Sequence, residues 1–162
     1  MTGSVGSTAA GEKPDGAEVP AEATTSGSWL ALFAAWLIAL GSTLGALFVG
    51  EVMGQVPCNL CWHQRAFMFP LAVILAIAAF RGDTSIWRYA FPIAVIGGLI
   101  AGFHGLIYLG VMPEAIEPCG QGPSCASADM TVLSGLPLPL LSFAAFALIA
   151  TFLLLSRRPY RP

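Results

Sequence analysis

Charge is what this sequence has least of. Only 10% of its 162 residues are Asp, Glu, Lys or Arg, 16 side chains in all, against about a quarter in ordinary soluble domains. Five of these lie within the first 22 positions. A soluble domain of this size needs a surface roughly a third charged, and the remainder cannot supply one, which excludes a soluble globular protein. Lysine is almost missing, with Lys13 its single instance. With a net charge of −2 and no Lys/Arg stripe, nucleic acid is excluded as a partner. What the chain does have is 56% apolar residues, a mean hydropathy of +0.77 and four cysteines. That combination describes a small integral membrane protein.

Four stretches are free or nearly free of charge: residues 29–50, 62–80, 89–111 and 136–155. A bilayer core of about 30 Å takes about 20 helical residues, so each can span, the second only just. Transmembrane strands are about 9–11 residues long and alternate apolar with polar; these runs do not alternate. The connections at 51–61 and 81–88 are short, which forces neighbouring helices to run antiparallel. The third, at 112–135, is longer and rich in Pro, Gly and Ser. The fold class that follows is all-α: an antiparallel four-helix transmembrane bundle. Gly41-x-x-x-Gly45 and Gly98-x-x-x-Gly102 could let helices approach closely, although the pattern also arises by chance in Gly-rich apolar helices.

Basic residues near the helix ends give the orientation. Arg81 and Arg88 flank the second connection, and Arg157, Arg158 and Arg161 follow the last helix. The third connection carries Glu114, Glu117 and Asp129 and no basic residue; the first carries Glu51. Both termini and the second connection are therefore expected in the cytoplasm, with the first and third connections outside. Residues 1–28 are rich in Ser, Thr, Ala and Gly, lack the basic start of a signal peptide and are expected to be a disordered cytoplasmic tail. Residues 157–162 form a basic cytoplasmic tail.

The cysteines all fall on the outer side. Cys58 and Cys61 end the first outer connection, and Cys119 and Cys125 lie in the second. Outside a bacterial inner membrane such thiols can form disulfides. Three pairings exist; Cys58–Cys61 with Cys119–Cys125 is the default because both loops closed are short, and the cross-pairing remains open. Cys58-x-x-Cys61 opens a helix after Pro57, where unpaired N–H groups favour a thiolate. Arg65 follows Cys61 by four residues and so shares its face. An arginine at the edge of the hydrocarbon is costly unless it serves something or reaches back to the interface; it can hold a thiolate or donate to a ligand oxygen. His104 lies inside the outer half of the third span, where it could donate to a ligand or simply bond a neighbouring helix.

The run Pro57-Cys58-Asn59-Leu60-Cys61-Trp62-His63-Gln64-Arg65, opening the second of four membrane helices, resembles the disulfide bond formation protein B (DsbB) family. Glu51, the Phe103-His104 pair and the Pro137–Ser142 run fit the same family, and the resemblance covers residues 29–156. It implies a membrane thiol:quinone oxidoreductase that reoxidises a periplasmic DsbA-like dithiol oxidase, with ubiquinone or menaquinone as cofactor; the DsbA–DsbB–quinone chain is what keeps the bacterial periplasm oxidising. By position, Cys119 and Cys125 would be the pair that meets the partner, Cys119 forming the mixed disulfide. Cys58 would exchange with that pair, Cys61 would face the quinone, and Arg65 and His104 would bind it. One departure stands out: the best-known members separate the second pair by a much longer segment, whereas only Gly120–Ser124 intervene here.

Other readings of the same residues are weaker. A C-x-x-C can be half a zinc site, completed by the second pair or His63, but Cys119-x5-Cys125 is not a typical zinc knuckle and no metal is expected. A non-enzymatic membrane protein with structural disulfides is a second possibility. A vitamin K epoxide reductase-like bundle also uses four helices and quinones, but the nine-residue run fits DsbB better. Passing reducing power outward would call for a cysteine in the membrane or on the inner side, and none exists.

Overall fold

The computed structural model describes residues 21–112, 131–132 and 135–157. Four helices carry the chain: α1 (Ala21–Leu47), α2 (Asn59–Arg81), α3 (Trp87–Tyr108) and α4 (Leu138–Ser156). A π-helical turn, Phe48–Val52, extends α1, and a 3-10 turn, Thr84–Ile86, leads into α3. All four are long and apolar enough to cross a membrane. Each expected span is found, with ends moved by a few residues.

The larger difference is at the start, where residues 21–28, expected to belong to a disordered tail, form the first turns of α1. Of residues 21–28 only Ala21, Glu22 and Ala23 are good helix formers, so the extension rests on propagation from a long apolar helix already nucleated rather than on propensity. The third connection also departs from the expected loop. Thr131 pairs with Pro137 and Val132 with Leu136 in a two-residue antiparallel ladder that delivers the chain into α4. Residues 1–20 and 158–162, and with them most of both tails, lie outside the described residues.

The helices pack in a ring, α1 against α2, α2 against α3, α3 against α4 and α4 against α1. Inter-helix contacts fix the antiparallel sense. At one end Trp29 Nε1 donates to Ala79 O at 2.9 Å, joining the start of α1 to the end of α2. At the same end the Arg157 guanidinium lies 6.0 Å from the Trp87 ring. Arg81, Arg88 and Arg157 thus share one end, and the C-x-x-C turn opens the other.

The packing differs from that of a water-soluble bundle, although Leu32, Leu71, Leu75, Phe146, Ile149 and Leu153 are buried in the core. The interior is built largely of small residues: Ala35 and Ala39 on α1, Ala72, Ala78 and Ala79 on α2, Ala90, Ala94 and Ala101 on α3. Large apolar side chains point outward, Phe80 at 77% exposure, Leu99 at 69% and Leu155 at 63%. Such a surface is unstable in water and well solvated by lipid, where close backbone approach rather than apolar burial drives association. α3 and α4 show this best: Gly97, Gly98, Gly102 and Gly105 face Phe146, Phe143 and Leu140. The Gly98/Gly102 pattern is therefore a true packing seam. The Gly41/Gly45 pattern is not, since a Cβ at either position would meet nothing within 4 Å; both line a cavity instead.

Candidate functional site: a dithiol beside a membrane cavity

The site begins with the way α2 starts. Cys58 is the N-cap, in extended conformation, and its sulfur accepts the backbone N–H of Cys61 at 3.3 Å. One helical turn separates the two cysteines, so both sulfurs lie on the same side, 2.8 Å apart. A disulfide bond is about 2.05 Å long, so a small side-chain rotation closes the pair. Cys58 is fully buried in a small apolar cluster with Leu60 and Ile107. Cys61 is half-buried and borders the cavity.

The Cys58 thiol, just outside the second span, is pushed up from its ordinary 9.0 to about 12. The hydrogen bond with the Cys61 sulfur is the largest cause and burial the next, while His104 and the Cys61 N–H pull the other way. The helix N-terminus does favour a thiolate, as expected from sequence, but it is outweighed at this cysteine. A raised value keeps Cys58 protonated through neutral pH. In the reduced protein its alkylation by iodoacetamide, followed by mass spectrometry, is expected to climb about tenfold per pH unit from about pH 7 to about pH 10.5. A plateau near pH 9 would contradict the burial argument.

Two buried polar side chains back the dithiol. His104 reaches across from α3, with Nε2 3.8 Å from Cys58 Sγ. Its other nitrogen, Nδ1, accepts from Gln64 Nε2 at 2.9 Å. His104 thus bonds a neighbouring helix, one of the two expectations from sequence, and it also borders the cavity. Gln64 was passed over as a site residue in the sequence reading. A glutamine three residues into a helical turn after a cysteine, at the head of an apolar span, was the signal that could have found it. His63 turns away: its exposed ring donates from Nδ1 to Asn59 O at 2.9 Å.

Arg65 sits one turn beyond Cys61, half-buried against the end of α1. Its Nη2 donates to Ala46 O at 2.7 Å, and the guanidinium lies 5.6 Å from the Trp62 ring. A Cβ at Gly50, in the π-helical turn, would come within 3.1 Å of Nη2. Glycine and the widened turn together make room for the cation, and π-turns of this kind often mark functional sites. Among the described residues the guanidinium makes no ion pair and leaves most of its five donors for a ligand.

Cys61, Gln64, Arg65 and His104 together form the polar end of a cavity of about 870 Å³ between α1, α2 and α4. The rest of its wall is apolar or small, including Gly41, Gly45, Met68 and Leu148. An apolar cleft with a few convergent polar groups is the usual form of a small-molecule site. Of the six sequence-predicted site residues, the structure brings Cys58, Cys61, Arg65 and His104 together; Cys119 and Cys125 lie outside the described residues.

Fold and site define a multi-pass helical membrane protein with a paired dithiol at a membrane cavity. The chain belongs to the DsbB family: the family model described as disulfide bond formation protein DsbB matches residues 27–156. Among its relatives, a "Probable disulfide formation protein" of Metapseudomonas resinovorans is 55% identical over 136 residues, covering 83% of this chain and 94% of that protein. The "Disulfide bond formation protein C" of Bacillus subtilis is 39% identical over 124 residues, covering 76% and 90%. A "Probable disulfide formation protein" of Deinococcus radiodurans is 42% identical over 131 residues, covering 75% and 85%. No solved structure matches. Family membership makes the protein a disulfide-forming oxidoreductase of the membrane.

Proposed function

We propose that this protein is a thiol:quinone oxidoreductase of the bacterial inner membrane. It takes two electrons from a periplasmic DsbA-like dithiol oxidase and passes them to ubiquinone or menaquinone. The observation that carries this reading is the placement of Cys61 and Arg65, one helical turn apart, at the polar end of an otherwise apolar cavity. The cavity suits a lipid-soluble ring with an apolar tail, and the arginine suits a ring oxygen. Arginines at the opposite end of the bundle support an outward-facing dithiol by the positive-inside rule.

The relay runs as two disulfide exchanges. The partner's thiolate attacks Cys119 of a Cys119–Cys125 disulfide, and the partner's second thiol releases it, leaving the loop pair reduced. A loop thiolate then attacks Cys58 in the Cys58–Cys61 disulfide. Cys61 leaves as the thiolate because the Arg65 cation lies one turn away, whereas the buried Cys58 sulfur is the poorer leaving group. The second loop thiol then displaces Cys58, which restores the Cys119–Cys125 disulfide and leaves Cys58 and Cys61 reduced. For the attack by the loop thiolate Cys58 must leave its apolar seat, and the stretch 54–57, without regular secondary structure and with Gly54 at φ 68°, is a suitable hinge. A bound quinone would supply the acceptor for two electrons and two protons from the Cys58–Cys61 dithiol, which returns to the disulfide. Arg65 holds and polarises the acceptor oxygen, and His104 is placed to move a proton at Nε2 between Cys58 and the cavity.

The test follows quinone absorbance with the purified protein and a reduced thioredoxin-fold dithiol partner. One quinone consumed per partner disulfide formed is expected; partner oxidation with no quinone consumption would refute the proposal. Arg65→Ala is expected to raise the apparent KM for quinone roughly ten- to a hundredfold, the loss of a charged hydrogen-bond donor. Its thiol exchange with the partner is expected to stay at the wild-type rate. Equal quinone kinetics in that variant would remove the role given to Arg65.

A further inference from the structure

The dithiol and His104 have a capacity that the electron relay does not use. Cys58 Sγ, Cys61 Sγ and a ring nitrogen of His104 all lie within 4.8 Å of one another. The nitrogen facing the sulfurs is Nε2, and the other is held by Gln64. That is the usual support of a metal-bound histidine, in which a partner on the far nitrogen fixes ring and tautomer. An amide is suited to the task, because rotating it exchanges donor for acceptor. In the present orientation Gln64 donates to Nδ1; turned over, it accepts from Nδ1–H and leaves Nε2 bare for a ligand bond.

We propose that the reduced Cys58–Cys61 pair and His104 form a binding site for a thiophilic divalent cation of the zinc class, which traps the dithiol in its reduced state. Tetrahedral zinc with bonds of about 2.3 Å to sulfur and about 2.0 Å to nitrogen sets S···N near 3.6 Å and S···S near 3.8 Å. Cys58 and His104 are already at 3.8 Å. The Cys61 sulfur must move back from Cys58 by about 1 Å, and it borders the cavity that gives the ion its way in. Two S–H bonds break, two metal–sulfur bonds form, and two protons leave to water; no electrons move. Two thiolates cancel the charge of the ion, so burial beside Arg65 adds no net charge. The fourth position faces the cavity and takes water. Oxidation of the pair removes both sulfur ligands, so the site exists only while the dithiol is waiting to hand on its electrons. His63, the histidine weighed from sequence for such a site, is turned to Asn59 O.

The test uses Co2+ as the probe, added anaerobically to the full-length, phosphine-reduced protein in detergent. A Cys119→Ala/Cys125→Ala background leaves only this dithiol. One equivalent of tetrahedral cobalt with sulfur-to-metal charge-transfer bands is expected, displaced by Zn2+ and absent from the oxidised protein. His104→Ala and the polar variant His104→Gln are expected to weaken binding at least about a hundredfold, and Gln64→Ala about ten- to a hundredfold. No thiolate–cobalt spectrum in the reduced background protein, or equal affinity in His104→Gln, overturns the proposal. Because the readout is spectroscopic, it stands or falls independently of whether quinone is the electron acceptor.

Discussion

Replacing Cys61 by serine is expected to stop quinone reduction, lowering turnover by at least about a thousandfold, as for loss of other essential nucleophiles. The distances say why. Cys61 is the sulfur that borders the cavity, and Cys58 is fully buried behind it. Serine keeps the size and the helical turn but cannot form the internal disulfide or hold electrons as a thiolate. The first exchange is expected to survive, because it needs only the loop pair and the partner. Electrons then stall on the loop pair, which is expected to accumulate as the Cys119/Cys125 dithiol, because without Cys61 there is no inner disulfide to take them. Alkylation after acid quench, followed by peptide mapping, would detect both loop thiols. Wild-type turnover in Cys61→Ser, measured by quinone absorbance, would break the relay at its inner step. An unchanged helical signal by circular dichroism separates loss of chemistry from loss of fold.

The sequence made much of this legible because a membrane imposes few solutions. Four uncharged runs, short connections and one-sided arginines dictate an antiparallel bundle, and the helices lie where the runs are. The i, i+4 relation of Cys61 and Arg65 follows from helical geometry alone, and the structure places both at one cavity. What sequence could not give was direction around each helix axis. With apolar residues on every face there is no polar stripe to orient by, so Gly41/Gly45 and Gly98/Gly102 read alike although one pair lines a cavity and the other a helix seam. Gln64 escaped for the same reason: its value comes from His104, forty positions away. The π-helical turn at Phe48–Val52 has no strong local code and is explained only by the arginine it accommodates.

The seam between α3 and α4 should give the largest change in stability from a single methyl group. A Cβ on Gly97 would overlap the ring of Phe146, which is itself fully buried in the core cluster. A ring edge cannot slip aside as a flexible chain end can, so α3 and α4 must separate. Overpacking of this kind costs about 1–3 kcal/mol, and the depth of the overlap puts Gly97→Ala near the upper figure. For a chain of this length that lowers the melting temperature in detergent by roughly 6–12 °C. Gly41→Ala is the matched control, since its Cβ meets nothing within 4 Å. It is expected to melt at or above wild type, as alanine is the better helix former by about 1 kcal/mol. Trimming the ring in Gly97→Ala/Phe146→Leu should recover part of the loss, because the two changes act on one contact and need not add. Equal melting of Gly97→Ala and Gly41→Ala would mean that the seam is looser than the structure draws it. The seam also holds His104 in place from α3, so a separated α3 is expected to slow quinone reduction with every cysteine intact. That would link the small-residue packing of the bundle to the chemistry at its outer end.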